Sequence, residues 1–239
     1  MRSYHSKRWY QKWWGILTII FIILFLIVSI ASLLYYNQMI KKISEGKVRL
    51  NSISGEIYEP KTIREGEAKY SLGQKEAPLT IVVFEDFNCP YCKEGYYTMK
   101  ELYLRYPDSI RIIHRDFPLI SQDSPTLAIA ARCAGEQGRF WLMAEIMFKN
   151  QGIFSISELP DMAESIGVER KQFTLCLDEQ RYLNEVQKDL EDASILGVEA
   201  TPVYIFGEYK ASGLMPKETF TQAVETMLKN LTVENTTKE

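Results

Sequence analysis

The chain has 239 residues, 46% of them hydrophobic and 25% charged, a composition that excludes collagen-like, disordered and disulfide-dense classes. The formal net charge is -3, but residues 1–50 hold eight of the 28 basic side chains and only one acidic side chain. Residues 51–239 are therefore acidic, with 20 basic and 30 acidic side chains. We expect no nucleic-acid partner, because contacts with phosphates need a basic surface.

The clearest feature of the N-terminus is an uncharged apolar run over residues 15–36. As a helix it reaches about 30 Å, the thickness of the hydrocarbon core of a bilayer. Tryptophan and tyrosine stand at its two ends, where interfacial aromatic residues are expected. A cleaved signal peptide is the alternative, but the apolar run continues past the loose match to a cleavage site at residues 29–31. The pattern predicts one uncleaved transmembrane helix.

The charges on either side of this run give only a weak indication of its orientation, because basic residues occur on both sides. We expect residues 1–14 to be a short basic cytoplasmic tail and residues 37–65 to be a polar linker. The prediction is a single-pass protein of the inner (cytoplasmic) membrane. Its folded domain is expected on the periplasmic or extracellular side.

The pattern after the linker predicts an α/β domain. Residues 79–84 form a continuous apolar run that is typical of a central strand buried on both faces. A helical stretch at 89–106 and a strand at 109–114 follow, which predicts a right-handed parallel crossover. Further helices are predicted at 125–134, 140–150, 157–166, 169–177, 182–196 and 216–231, and further strands at 202–206 and 209–212.

These elements place the domain at residues 66–231, with a helical insert at about 120–197. The polar residues 232–239 are predicted to form a flexible tail.

The motif Cys89-Pro90-Tyr91-Cys92 directly follows the first predicted strand and opens a helix. The first turn of a helix has unpaired N–H groups and the positive end of the helix dipole, which lower the pKa of a thiol on Cys89. Pro90 suits this turn because its missing N–H would have no helical partner. Cys92 lies one turn later, within disulfide reach and less exposed. The motif predicts Cys89 as the attacking cysteine and Cys92 as the resolving one.

A zinc site and a purely structural disulfide are the alternatives for this motif. A site with four cysteine ligands needs a second close pair, but Cys133 and Cys176 are far apart and the two histidines have no ligand spacing. We therefore predict no metal and no cofactor.

A second candidate site is Thr201-Pro202, just before a predicted strand. In this topology the loop lies against the helix that carries the cysteines. A cis proline there makes a tight turn and leaves the backbone of Thr201 free to pair with an extended substrate. A trans proline that starts an edge strand is the alternative.

Three segments carry a resemblance to a known family: FEDFNCPYC at 84–92, GEQGRFW at 135–141 and ATPVYIFG at 200–207. They resemble the DsbA-like branch of the thioredoxin superfamily. The resemblance implies a thioredoxin-like fold with an inserted helical subdomain, here preceded by one transmembrane helix. It also implies oxidation of unfolded or partly folded exported proteins, followed by reoxidation by a membrane quinone-linked thiol oxidase similar to DsbB.

The same resemblance assigns roles to residues and shows one departure. It makes Cys89 the nucleophile, Cys92 the resolving cysteine and Thr201-Pro202 the cis-proline loop. The family often has a buried acid six residues before the first cysteine, where this chain has Val83. Glu85 and Asp86 are nearby candidates for proton transfer, and Glu85 shares the strand face of Val83. Water is the alternative proton carrier.

The neutral Tyr91 bears on the direction of the reaction. A histidine at this position would stabilise the thiolate by its charge, so we expect a weaker oxidant than the strongest members, with a potential of roughly -120 to -230 mV.

Cys133 and Cys176 both fall in the predicted helical insert. Two thiols in one small domain tend to pair in an oxidising compartment, which predicts a second, structural disulfide. Two buried free thiols are the alternative. His114, at the end of a predicted strand, is interpreted as structural rather than catalytic.

Three functions remain open at this point. The first is a thiol:disulfide oxidoreductase that donates its disulfide to exported proteins. The second is a reductase or isomerase kept reduced by a membrane electron donor. The third is a membrane-tethered chaperone that binds peptides without catalysis.

Overall fold

The computed structural model describes residues 13–44, 70–207 and 209–236. The predicted cytoplasmic tail up to residue 12, the linker from residue 45 onward and the last three residues lie outside the described residues. The chain divides into two units, residues 1–52 and 53–239.

The described part of the first unit is a single helix, α1, Trp13–Ser44. It contains the predicted span 15–36 and extends beyond it at both ends. Its window Leu17–Leu34 has 18 residues, a mean hydropathy of 3.1 and no buried residue. This helix is long and apolar enough to cross a membrane once.

The second unit contains a five-stranded sheet in the order β1-β3-β2-β4-β5. The strands are β1 Ser71–Leu72, β2 Leu79–Glu85, β3 Ile110–Asp116, β4 Val203–Phe206 and β5 Tyr209–Ser212. β2 pairs with β3 in parallel, and the other three pairings are antiparallel. β1 was not predicted, because two residues are too few to show a strand pattern.

Seven helices of this unit surround the sheet within the described residues. They are α2 Pro90–Arg105, α3 Ser124–Gly135, α4 Phe140–Lys149, α5 Leu159–Ser165, α6 Arg170–Asp178, α7 Leu183–Ile195 and α8 Lys217–Thr236. A 3-10 turn, Ile156–Glu158, precedes α5. α2 connects the parallel strands β2 and β3, and α3 to α7 form the helical insert.

Two elements of this unit extend past their predicted C-terminal ends by two residues or more. β3 continues to Asp116, because the charged residues at its end are buried in ion pairs and do not stop the strand. α8 continues to Thr236, five residues into the predicted flexible tail, because no glycine or proline interrupts the sequence after Lys217.

Side chains of β2 alternate between two cores. Val82 and Phe84 pack in the cluster that contains Ala193 of α7, while Ile81 and Val83 pack in the cluster that contains residues of α2 and α8. The sheet is therefore covered on both faces, which explains the continuous apolar run. A third cluster fills the insert and includes Cys89 and Cys92, so the motif lies where α2 meets the insert.

The structure joins Cys133 of α3 to Cys176 of α6 in a disulfide, and both residues are fully buried. The bond links positions 43 residues apart. A crosslink of this kind stabilises a protein mainly by restricting the unfolded chain.

Replacing both residues, C133A/C176A, is expected to lower the free energy of unfolding by about 2–4 kcal/mol, because the unfolded chain regains its freedom. Urea unfolding of the full chain in detergent measures the change. Wild type unfolded under reducing conditions is the matched control and should lose a similar amount. Equal stabilities with and without the two cysteines would contradict the prediction.

Candidate active site

The fold places the cysteine motif at the start of α2. Cys89 is the N-cap residue with extended backbone angles, φ -81° and ψ 118°, and Pro90 occupies the first turn. The carbonyl oxygen of Cys89 accepts hydrogen bonds from the N–H of Cys92 at 3.1 Å and of Lys93 at 3.2 Å. Both cysteines are free thiols, and Cys89 is 2% exposed whereas Cys92 is 0% exposed.

The loop before β4 faces this pair. The peptide bond between Thr201 and Pro202 is cis, and the Sγ of Cys89 lies 3.4 Å from the carbonyl oxygen of Thr201. The structure therefore brings the cysteine motif and the Thr201-Pro202 loop together, although they are over 100 residues apart in sequence.

Gly95 explains how close α2 approaches β4. A Cβ atom on Gly95 would lie 2.0 Å from the hydroxyl oxygen of Tyr204 and 3.7 Å from the Cγ of Pro202. A larger residue here would push α2 away from the cis-proline loop.

The two thiols have opposite pKa shifts. Hydrogen bonds from the thiol of Cys92 and from N–H groups of the first turn outweigh burial and lower the pKa of Cys89 to about 6. Burial raises the pKa of Cys92 above its ordinary value, and the negative charge of Glu85 raises it further. At neutral pH Cys89 is a thiolate, the reactive form, and Cys92 is a thiol.

This difference predicts the pH dependence of alkylation. The reaction of Cys89 with iodoacetamide should rise with a midpoint near pH 6, rather than near pH 9, because its pKa is lowered to about 6. Stopped-flow alkylation of the reduced protein, with the modified cysteine identified by peptide mass, measures it. The variant C92A removes the hydrogen bond from the Cys92 thiol to the thiolate and should move the midpoint upward. A wild-type midpoint above pH 8 would contradict the prediction.

The two residues inside the motif lie at the surface. Tyr91 is 58% exposed and Pro90 is exposed as well. Their side chains are therefore available to a partner that approaches Cys89.

The two acidic candidates differ in what they contact. Glu85, the last residue of β2, is 1% exposed, and burial raises the pKa of its carboxyl. Both oxygens of Asp86 accept backbone hydrogen bonds at 2.8 Å, one from Asn88 and one from Ile120. Asp86 therefore holds the loop in place. Glu85 is the better candidate for proton transfer, because its charge acts on Cys92 and one of its oxygens, Oε1, has no hydrogen-bond partner in the part of the chain that the structure describes.

Sequence reasoning missed Gln151, which follows α4. Its Nε2 donates to the carbonyl oxygens of Phe87 at 2.8 Å and of Cys89 at 3.0 Å, so it fixes the segment that leads into α2. A single glutamine in a polar turn carries no sequence signal for this role.

Sequence reasoning also missed a buried cluster of charged residues between β3 and the helical insert. Nε of Arg132 lies 2.6 Å from Asp116, and its other nitrogens pair with Asp189 and, at 2.9 Å, with Glu185. His114 is not at the end of the strand but inside β3, between Glu85 and Asp116. Among the residues that the structure describes, no three His, Cys, Asp or Glu side chains form a metal-binding group.

A family model described as thioredoxin matches residues 65–226. The chain belongs to the thioredoxin family. The match contains the cysteine motif, the helical insert and the cis-proline loop, so it covers every element of the site.

Solved structures agree on the fold. A thioredoxin-like oxidoreductase from Silicibacter pomeroyi is 21% identical with a TM-score of 0.62, and the match covers 72% of this chain and 99% of that one. The α-DsbA1 protein of Wolbachia pipientis is 16% identical with a TM-score of 0.62, over 69% of this chain and 92% of that one. The expected thioredoxin-like, DsbA-like fold with a helical insert is confirmed.

A relative found by sequence is a Na(+)/H(+) antiporter NhaA 1 of Salinispora arenicola, 30% identical over 154 residues. The match covers 64% of this chain but 24% of that protein, so the chain spans about a quarter of the relative's length.

Proposed function

We propose that the protein is a membrane-anchored thiol:disulfide oxidoreductase that introduces disulfides into exported proteins through Cys89 and Cys92. The observation that carries the proposal is a cysteine pair with opposite pKa shifts, at the start of a helix and 3.4 Å from the cis-proline loop. This arrangement suits dithiol-disulfide exchange, which needs one stable thiolate and one protected thiol.

The reaction follows from these two positions. A thiolate of the substrate attacks Cys89 in the oxidised protein, the bond between Cys89 and Cys92 breaks, and its electron pair stays on Cys92. A second substrate thiolate then attacks the first substrate sulfur and releases Cys89 as a thiolate. The substrate loses two electrons and gains a disulfide, while the protein pair becomes reduced. Thr201 would pair through its backbone with the extended substrate.

The direction of exchange and the compartment have separate support. A lowered pKa of Cys89 stabilises the reduced form, which favours giving the disulfide away. The buried disulfide of Cys133 and Cys176 fits an oxidising compartment outside the cytoplasm. The apolar window Leu17–Leu34 fits a single-pass anchor in the cytoplasmic membrane. A membrane quinone-linked thiol oxidase, similar to DsbB, would then reoxidise the pair.

Exposed apolar side chains support unfolded or partly folded proteins as substrates. Tyr91 in the motif is 58% exposed, and Leu119 and Ile120, in the loop held by Asp86, are 63% and 55% exposed. Ile153, two residues after Gln151, is 77% exposed. A contiguous exposed apolar patch marks contacts with a protein partner, and these side chains are the candidates for such a patch here.

The equilibrium reduction potential tests the direction. The full chain in detergent is equilibrated in glutathione buffers, and the redox state of Cys89 and Cys92 is read by alkylation and peptide mass. A potential of roughly -120 to -200 mV supports an oxidase. A value of about -270 mV or lower would instead support a reductase, which would need a membrane electron donor.

A further inference from the structure

His114 is a buried titratable group that takes no part in the exchange of disulfides between Cys89, Cys92 and a substrate. It lies in the middle of β3 and is 3% exposed. Its Nδ1 is 3.2 Å from Oε2 of Glu85, and its Nε2 is 2.9 Å from Oδ1 of Asp116. Both contacts join a ring nitrogen to a carboxylate oxygen.

This geometry determines the charge of the ring. Ionised carboxylates only accept hydrogen bonds, so both ring nitrogens donate when Glu85 and Asp116 are ionised, and His114 is then an imidazolium. Burial by itself lowers the pKa of His114, but Asp116 and Glu85 outweigh it and raise the pKa to about 9. Among the described residues, these two carboxylates are the charged groups in direct contact with the ring.

Three aromatic side chains also lie against His114 and hold the ring in place. Phe87 stacks on it with centroids 5.3 Å apart, and Phe140 and Trp141 of α4 lie at 5.1 Å and 6.4 Å. On the far side, Asp116 is paired with Arg132 of α3 at 2.6 Å. The orientation of the imidazole is therefore fixed by the two carboxylates and by the aromatic rings packed against it.

Glu85 interacts with both His114 and the cysteine pair. Its Oε2 contacts His114, whereas its buried Oε1 has no hydrogen-bond partner among the described residues. The charge of Glu85 raises the pKa of Cys92, so the carboxylate lies within electrostatic reach of that thiol. Burial raises the pKa of Glu85, and the hydrogen bond and charge of His114 oppose this effect.

We propose that His114, fixed by Asp116 on one ring nitrogen, is a positioning residue that holds Glu85 ionised and oriented in the reduced protein, where Glu85 takes the proton of Cys92 and later returns it. The inference rests on the proposed exchange reaction and specifies its proton step. When a substrate thiolate attacks Cys89, Cys92 leaves as a thiolate and takes the proton of the Glu85 carboxyl. When the pair is reoxidised, the thiol of Cys92 returns its proton to the Glu85 carboxylate. Its sulfur then attacks Cys89 in the mixed disulfide and displaces the partner sulfur as a thiolate.

The role of His114 is to favour the ionised form of Glu85. Without the imidazolium, the effect of burial is no longer opposed by an adjacent positive charge, and the pKa of Glu85 rises further. A protonated Glu85 cannot take the proton of Cys92, so attack by Cys92 becomes slow and shifts to higher pH.

The test uses the full chain in detergent with glutathione linked to Cys89. Attack by Cys92 releases the glutathione, and the release rate is measured from pH 5 to 10. In H114F, which keeps an aromatic ring against Phe87, we expect the rate at pH 7 to fall about tenfold or more, because proton transfer contributes factors of this size or larger. The rate should recover as the pH rises. Alkylation of Cys89 should keep its wild-type midpoint.

Two further variants separate this role from packing. E85Q keeps the side-chain size and should show the same loss as H114F. F140L alters the packing against His114 without removing a charge and should keep the wild-type pH profile. Overlapping profiles for H114F and wild type would overturn the role of His114 while leaving the exchange reaction intact. Absence of glutathione release in wild type at any pH would instead overturn the exchange reaction.

A measurement on the unaltered protein covers the case in which H114F fails to fold. The chain has two histidines, His5 and His114, so the imidazole signals in an NMR titration can be assigned by the single variant H5A. We expect His114 to remain charged through pH 8 and to titrate near the value of about 9 set by Asp116 and Glu85. Titration near pH 6.5 or below would overturn the proposal.

Discussion

We expect C89S to abolish disulfide exchange and C92S to accumulate mixed disulfides with substrates. In C89S the nucleophile is gone, and the remaining thiol of Cys92 is fully buried with a raised pKa, so it cannot react at neutral pH. In C92S, Cys89 still forms the first bond with a substrate disulfide, but no neighbouring thiol can displace the substrate. The loss of turnover should reach at least about a thousandfold in both variants, because thiolate attack is the chemical step in each half of the reaction.

The measurement is a non-reducing gel of cells that express each variant, followed by mass spectrometry of the covalent adducts. The matched control is C133A/C176A, which removes the other two cysteines while leaving the reactive pair in place. It should form no trapped adducts beyond those of wild type. A C92S protein that traps nothing, or a C89S/C92S protein that keeps full biological function, would contradict the proposed reaction and favour a non-catalytic chaperone.

The parts of the site that could be predicted from sequence are those set by local geometry. A strand followed by a Cys-x-x-Cys motif and a helix determines that Cys89 lies at a helix N-terminus, whatever the rest of the fold does. Thr201-Pro202 was predictable as a facing loop only because the thioredoxin topology was suspected. The continuous apolar run of β2 likewise indicated a strand buried on both faces, which the two cores around the sheet explain.

The parts that could not be predicted depend on contacts between distant segments. His114 looked like a strand end, because nothing nearby in sequence shows that β3 continues to Asp116 or that Glu85 of β2 would flank the ring. Glu85 and Asp86 are adjacent in sequence, and only the structure separates a carboxylate near the thiol from one that fixes a loop. Gln151 and Arg132 carry no periodic pattern that would mark their partners, so no sequence rule could have identified them.

Arg132 is the residue whose loss should destabilise the domain most. Its guanidinium is the shared partner of Asp116, Asp189 and Glu185, and the first two carboxylates are almost fully buried. R132M would keep much of the side-chain length but remove the guanidinium that these buried carboxylates share, leaving Asp116 with His114 and Asp189 with Arg115. Removing one partner from a buried ion pair typically costs about 3–5 kcal/mol, so we expect a loss of that size in the free energy of unfolding.

Urea unfolding of the full chain in detergent measures this loss, and R105M is the matched control. Arg105 pairs with Glu101 at 3.2 Å, but both side chains are nearly half exposed, so its replacement should change stability by less than about 1 kcal/mol. R132M and R105M make the same chemical change, one at a buried ion pair and the other at an exposed ion pair. A loss in R132M no larger than in R105M would mean that the buried carboxylates take up protons or water at little cost. The charge cluster would then contribute little to joining the insert to β3. A large loss, confined to R132M, would identify Arg132 as a stabilising electrostatic connection between β3 and helices α3 and α7 of the insert.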